Sequence, residues 1–171
     1  MNDFFTATIL IATVASGVRL ATPFLLASLG EAFGQRSGVL NLGVDGGMLL
    51  GAFGAYYTVL KTGNLYLGIL VGLGIGVFIG IFYAFITVNL LAQQGVSGIG
   101  IYLFGLGLSD LLFQKLVGTP RPIMPFDTLR IPFLADIPVI GEMFFEHSLI
   151  VYIAFLSVLR RLFNLMEDLV F

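Results

Sequence analysis

Asn41 and Asp45 stand four residues apart in the stretch Arg36-Ser-Gly-Val-Leu-Asn41-Leu-Gly-Val-Asp45-Gly46-Gly47-Met48. On a helix that spacing puts both on one face, where a neutral amide and an acceptor-only carboxylate serve the same volume. The pair can hydrogen-bond a polar solute passing it, or accept an ion pair. Placing a carboxylate in a membrane costs about 2.5–3.5 kcal/mol on insertion scales, so its default reading is part of a pathway. Two readings stand side by side: Asp45 lines a path, or it lies within a turn of the interface and pairs with Arg36 or Arg19.

Gly38, Gly43, Gly46 and Gly47 crowd the same stretch as an apolar span begins. Glycine-rich backbone at membrane depth is tolerated only inside protein or beside a wet cavity, which predicts a discontinuous helix. Asn41, Asp45, Gly46, Gly47 and Met48 are therefore the candidate path-lining residues.

The rest of the chain must place these groups in a membrane. Of the 171 residues, 58% are hydrophobic and 11% charged, and the mean hydropathy is +1.03. Soluble domains carry about a quarter charged residues. The apolar material is enough for about five crossings of about 20 residues each. A net charge of −2 with eight scattered Lys and Arg excludes a basic nucleic-acid surface. The absence of Cys and the single histidine, His147, leave no disulfide scaffold, Cys nucleophile or metal cluster, so no catalytic and no metal site is expected.

No Lys, Arg, Asp or Glu occurs from Thr62 through Ser109, a run far longer than one crossing. Its only polar break is Gln93-Gln94-Gly95. The predicted fold is an all-α polytopic membrane protein of four to five transmembrane helices, one of them discontinuous. Spans are expected over about residues 4–29, 39–60, 65–91, 95–116 and 148–159. The last is too short to cross alone. Arg19 and Thr22-Pro23 interrupt the first span, as a kink or as an N-cap with Pro at N1. Five prolines between Val117 and His147 make residues 117–147 a loop, extracytoplasmic if the N-terminus is outside, and residues 160–171 form an atypical tail after a 1–159 transmembrane domain. Arg36, Arg160 and Arg161 on one side balance Lys61, Arg121 and Arg130 on the other; Asp3 tips the preference to an outside N-terminus.

Gly68, Gly72, Gly76 and Gly80 recur every fourth residue. Four residues advance 400° on a helix, so these glycines trace a slowly winding groove for close helix packing. Asp110 is expected at the interface with Lys115 nearby, Glu31 and Arg36 at a cytoplasmic loop over residues 31–38, and His147 in solvent beside Glu146. Gly38 and Gly43 have the spacing of a nucleotide-binding loop, but Val44 and Asp45 follow where Lys and Ser/Thr should stand. The chain is not expected to be an enzyme, and any ATP is hydrolysed by a separate subunit.

The runs Arg19 to Glu31 and Arg36 to Ala55, with the loop from Ile131 to Gly141 and His147 to Tyr152, resemble the permease subunits of bacterial ABC importers for nucleosides, grouped with branched-chain amino acid and simple-sugar permeases. Members often carry Glu where Asp45 stands. The resemblance implies a multi-pass plasma-membrane subunit embedded in lipid, paired with a second permease subunit. It further implies an ABC ATPase beneath, an extracytoplasmic substrate-binding lipoprotein above that supplies much of the selection, and residues 41–48 lining the path. Such permeases continue into an Arg- and Gly-rich segment that docks in the ATPase; here the pattern stops near Phe155, as in a chain truncated after its N-terminal half. An inert permease fragment and a small helical-bundle channel or accessory subunit are the alternatives.

Overall fold

A computed structural model describes residues 7–130 and 140–170. The chain divides into two compact units, one of residues Gly30–Pro125, the other of the described residues up to Leu29 and from Phe126 onward.

The first helix, α1 (Ala7–Arg36), runs unbroken through Pro23, so the N-cap alternative at Thr22-Pro23 falls. Proline removes one backbone donor from the ladder. The adjacent Thr22 hydroxyl donates to Val18 O at 3.1 Å. The helix also passes Leu29 and includes most of residues 31–38, where a loop was expected. Polar residues there do not stop a helix: Gln35 and Glu31, one turn apart, are bonded at 3.1 Å. The stop is Gly38, at φ +80°. Gly38 N–H donates to Gln35 O and Val39 N–H to Gly34 O, at 3.0 and 3.1 Å, the paired bonds of a Schellman ending that favours glycine.

Within the unit Gly30–Pro125, a short connection leads to α2 (Val44–Thr62), which ends on Gly63 in the left-handed region. Asn64 then caps α3 (Leu65–Ala84), its side chain accepting from Tyr66 N and Leu67 N, which satisfies two donors that a helix start leaves open. A single π-turn, Phe85–Asn89, continues α3, and α4 spans Gln94–Leu116. Helix α2 packs against both α3 and α4. The core between them is Leu50, Ile79, Tyr83 and Ile101, with Val39, Ile75 and Leu108 against it.

Among the described residues three helical stretches are long and apolar enough to cross a membrane: Ile9–Arg36, Leu65–Asn89 and Gln94–Leu116. Helix α2, only 19 residues and carrying Asp45, Lys61 and several glycines, is not among them. The exposed faces are apolar; Leu70, Leu73, Val77, Phe78 and Ile81 on α3 all stand open. That pattern suits hydrocarbon rather than water, with the backbone bonded within each helix.

The segment after α4 is tied down by Tyr56, whose hydroxyl donates to Arg121 O at 2.8 Å and accepts from Arg121 N at 2.9 Å. Tyr56→Phe removes both bonds, each worth about 1 kcal/mol. Hydrogen exchange at the Arg121 amide is expected to speed up about tenfold, with no change at the Gly63 amide in its helix cap.

The other unit contains a two-stranded ribbon where the 117–147 loop was expected, ending one residue past it: β1 (Thr128–Arg130) pairs antiparallel with β2 (Glu146–Ser148), Leu129 opposite His147. The Pro-rich residues 131–139, like Asp3, lie outside the described residues. A short helix, α5 (Ile140–Phe144), precedes β2. Helix α6 (Leu149–Val170) runs through Arg160-Arg161, beyond the apolar segment expected to end at Leu159. Val151 and Ala154 of α6 are buried.

His147 was expected in solvent; it is 1% exposed. Pairing with β1 and packing against α5 and α6 enclose it. Its Nε2 lies 2.9 Å from Met143 O, which makes that nitrogen the donor, and Nδ1 has no partner among the described residues. The Tyr152 hydroxyl accepts from His147 N and donates to Leu129 O, pinning the start of α6 to both strands.

Candidate functional site: the entry of helix α2

The connection from Gly38 to Gly43 joins two separate helices, α1 and α2, where a discontinuous helix was expected, and side chains from three helices take up its polar groups. Glu31 of α1 accepts from Asn41 N at 3.0 Å. Gln94, opening α4, accepts from Leu40 N at 2.8 Å and donates to Gly38 O at 3.1 Å. The Tyr83 hydroxyl of α3 bonds to Leu40 O and to Gln94 O at 3.0 Å. Backbone polar groups left unpaired in a membrane cost several kcal/mol each, so these side chains make an irregular connection tolerable.

Asn41 lies before the helix, not on it. Its Oδ1 accepts from Gly43 N at 2.8 Å, an Asx turn that leads the chain into α2. Asn41 and Asp45 thus do not share a helical face, although they remain at the same end of α2. Asp45 is exposed in the first turn, where the helix dipole favours a negative charge. Neither Arg19 nor Arg36 pairs with it: Arg19 donates to Ser16 Oγ at 3.0 Å, and the Asp45 carboxylate has no hydrogen bond or ion pair among the described residues.

Gly46 is buried against α4; a Cβ there would lie 2.6 Å from Ile101 O and 2.7 Å from Tyr102 Cα. Gly43 and Gly98 are as tight, with Gly98 O at 2.8 Å from a Cβ on Gly43 and Leu42 N at 2.8 Å from one on Gly98. A Cβ on Gly105 would overlap Gly46 itself. Helix α2 therefore meets α4 backbone to backbone, the small-residue packing that membrane helices use. Gly47 faces Ile79 of α3, its Cβ position 3.4 Å from Ile79 Cγ2, and Met48 is half-buried one residue further on.

Of the glycines spaced by four on α3, Gly68 and Gly72 meet Val59, Ala55 and Gly51 of α2. Gly76 and Gly80 have nothing within 4 Å among the described residues. The Asp110 carboxylate accepts from Gln114 Nε2 at 2.7 Å. No group of three or more His, Cys, Asp or Glu that could hold a metal occurs among the described residues.

Sequence reasoning passed over Tyr83, Gln94 and Glu31 as members of this site. A signal existed for the first two: a tyrosine hydroxyl deep in an apolar run must find a partner, and Gln93-Gln94 is the only polar break between Thr62 and Ser109.

Apolar helices, a glycine-packed pair and an irregular connection with an exposed carboxylate beside it define the class as an all-α fold with helices long and apolar enough to cross a membrane. The chain belongs to the family described as branched-chain amino acid transport system / permease component, whose profile matches residues 13–164. Three relatives agree with it. The Haloferax volcanii permease protein TsgC13, named for a glucose ABC transporter, is 38% identical over 82% of this chain and 44% of its own. The guanosine ABC transporter permease protein NupQ of Bacillus subtilis is 33% identical over 74% of this chain and 42% of its own. The nucleoside ABC transporter permease protein NupC of Lactococcus lactis is 33% identical over 79% and 45%. The chain thus spans less than half the length of these curated relatives. No solved structure is a significant match.

Proposed function

We propose that the chain serves as a transmembrane permease component of an ATP-driven importer in the plasma membrane, moving nucleosides or a related small polar solute past the entry of α2. The observation that carries this reading is Asp45, an exposed carboxylate with no protein partner among the described residues, in the first turn of a helix packed backbone to backbone against its neighbour. A carboxylate in that setting has hydrogen-bonding capacity left for a solute. Relatives named for nucleosides and for glucose share hydroxyl-rich sugar rings as the chemistry of their solutes. Asn41, Asp45 and Met48 are the residues assigned to the path; Gly46 and Gly47 hold the helix that carries them. Four to five spans, with α2 and α6 among them, complete the proposed bundle.

The partners in this reading are an ABC ATPase subunit, a second permease subunit and an extracytoplasmic binding lipoprotein. A tagged chain purified from its native membrane in mild detergent is expected to bring down a P-loop ATPase and a lipoprotein encoded beside it. Recovery of the chain without either would count against the importer.

A further inference from the structure

The connection before α2 is held by side chains for which the transport reading has no use. Gln94 meets it edge-on with its carboxamide, Oε1 taking the Leu40 N–H and Nε2 giving to Gly38 O. One side chain thereby does what a neighbouring strand would do for that backbone. The Tyr83 hydroxyl lies between Leu40 O and Gln94 O and has one proton to share between them. Tyr83 is 3% exposed.

Between these two residues the backbone is at its least regular. The π-turn at Phe85–Asn89 is a form that appears mostly as single turns, often at functional sites. Leu91 follows at φ 53°, a left-handed conformation that is unfavourable for a residue with a side chain. Such strain persists where the surrounding structure over-determines it. Here the Tyr83 and Gln94 bonds to the α1–α2 connection supply that constraint.

We infer that Tyr83 and Gln94 are positioning residues: as a polar latch they set the place of the Gly38–Gly43 connection, and through it of Asn41 and Asp45, so that this connection moves with the turn after α3. The role rests on the reading of Asn41 and Asp45 as path lining, but the latch is tested without transport.

The chain has no native cysteine, so Asp45→Cys gives one reporter and Lys115→Cys, at the other end of α4, a control. Open membrane fragments are labelled with a membrane-impermeant maleimide, and the rate relative to the otherwise unchanged parent is taken at pH 4 and pH 8. With Gln94→Glu, the carboxyl protonated at pH 4, below the usual Glu value of about 4.3, donates to Gly38 O as the amide did, and the ratio stays near one. At pH 8 the carboxylate turns an oxygen to that carbonyl, the latch opens, and the ratio at the reporter rises about tenfold, the factor for about 1.4 kcal/mol of lost hydrogen bonding. The titratable groups bonding to the same site are Glu31 from α1 and Tyr83 from α3; adding Glu31→Gln is expected to leave the pH dependence in place.

A ratio near one at both pH values overturns the latch, as does a rise shared by the control or independent of pH. Tyr83→Phe is expected to raise labelling at the reporter alone by about threefold, the effect of a partial hydrogen-bond loss. Should the Gln94→Glu chain fail to accumulate, unchanged labelling in Tyr83→Phe overturns the proposal by itself. If Asp45→Asn leaves uptake intact while the pH-dependent labelling is present, the path reading fails and the latch stands.

Discussion

Gly105→Ala is expected to lower the stability of the α2–α4 pair by about 3 kcal/mol, at the upper end for overpacking a tight interior. Gly107→Ala, on the same helix, is expected to leave stability unchanged or to raise it by up to about 1 kcal/mol through helix propensity. The difference lies in what each methyl group meets. At Gly105 the new Cβ would overlap the O, C and Cα of Gly46, backbone on both sides that cannot rotate away; at Gly107 nothing among the described residues stands within 4 Å. Thermal unfolding in detergent, followed by near-ultraviolet signals, reads the contrast. Gly46→Ala, which meets Ile101 O and Tyr102 Cα, should resemble Gly105→Ala. The two together should cost less than their sum, because both separate one pair of backbones. Equal stability of Gly105→Ala and Gly107→Ala would remove the close approach from the account.

Asp45→Asn is expected to reduce solute uptake by the assembled transporter about tenfold or more, the factor for losing one hydrogen bond to a charged group. Asp110→Asn should change uptake less than about twofold, as surface substitutions usually do little. Asp45 stands exposed in the first turn of α2 with its carboxylate uncommitted among the described residues. Asp110 is occupied by Gln114 one turn along its own helix. An asparagine amide keeps the Gln114 contact yet removes the charge that the α2 dipole favours at position 45. Equal effects of the two substitutions would remove Asp45 from the path.

Much of the membrane bundle was legible because hydrocarbon imposes a simple rule. A charge-free run from Thr62 to Ser109 with one polar break leaves little freedom, and the helices end at Asn89 and restart at Gln94. Polar interfaces carry less information. Residues 31–36 look like a loop by polarity, yet they are helix until Gly38 allows the left-handed turn. The Asn41–Asp45 pairing failed for a related reason: four-residue spacing means one face only where a helix already exists, and Asn41 is spent turning the chain into one.

Contacts distant in sequence left the weakest trace. His147 is buried because Leu129, eighteen residues earlier, becomes its strand partner, and nothing next to His147 announces that. The stripe of glycines on α3 winds by about 40° every four residues, so Gly68 and Gly72 meet α2 while Gly76 and Gly80 turn away from it. The tightest contacts use Gly43, Gly46, Gly98 and Gly105 instead. Those residues were visible all along, but only the pairing of two helices gives them meaning.

The central claim, a solute path past the entry of α2, is tested most directly with Met48→Cys in an otherwise cysteine-free assembled transporter. Uptake is measured before and after complete reaction with a bulky impermeant maleimide, with Leu111→Cys on the exposed face of α4 as the comparison. The account predicts that labelling Met48→Cys abolishes uptake and that bound solute slows the labelling, while labelling Leu111→Cys does neither. Full labelling at Met48→Cys with uptake unchanged would contradict it.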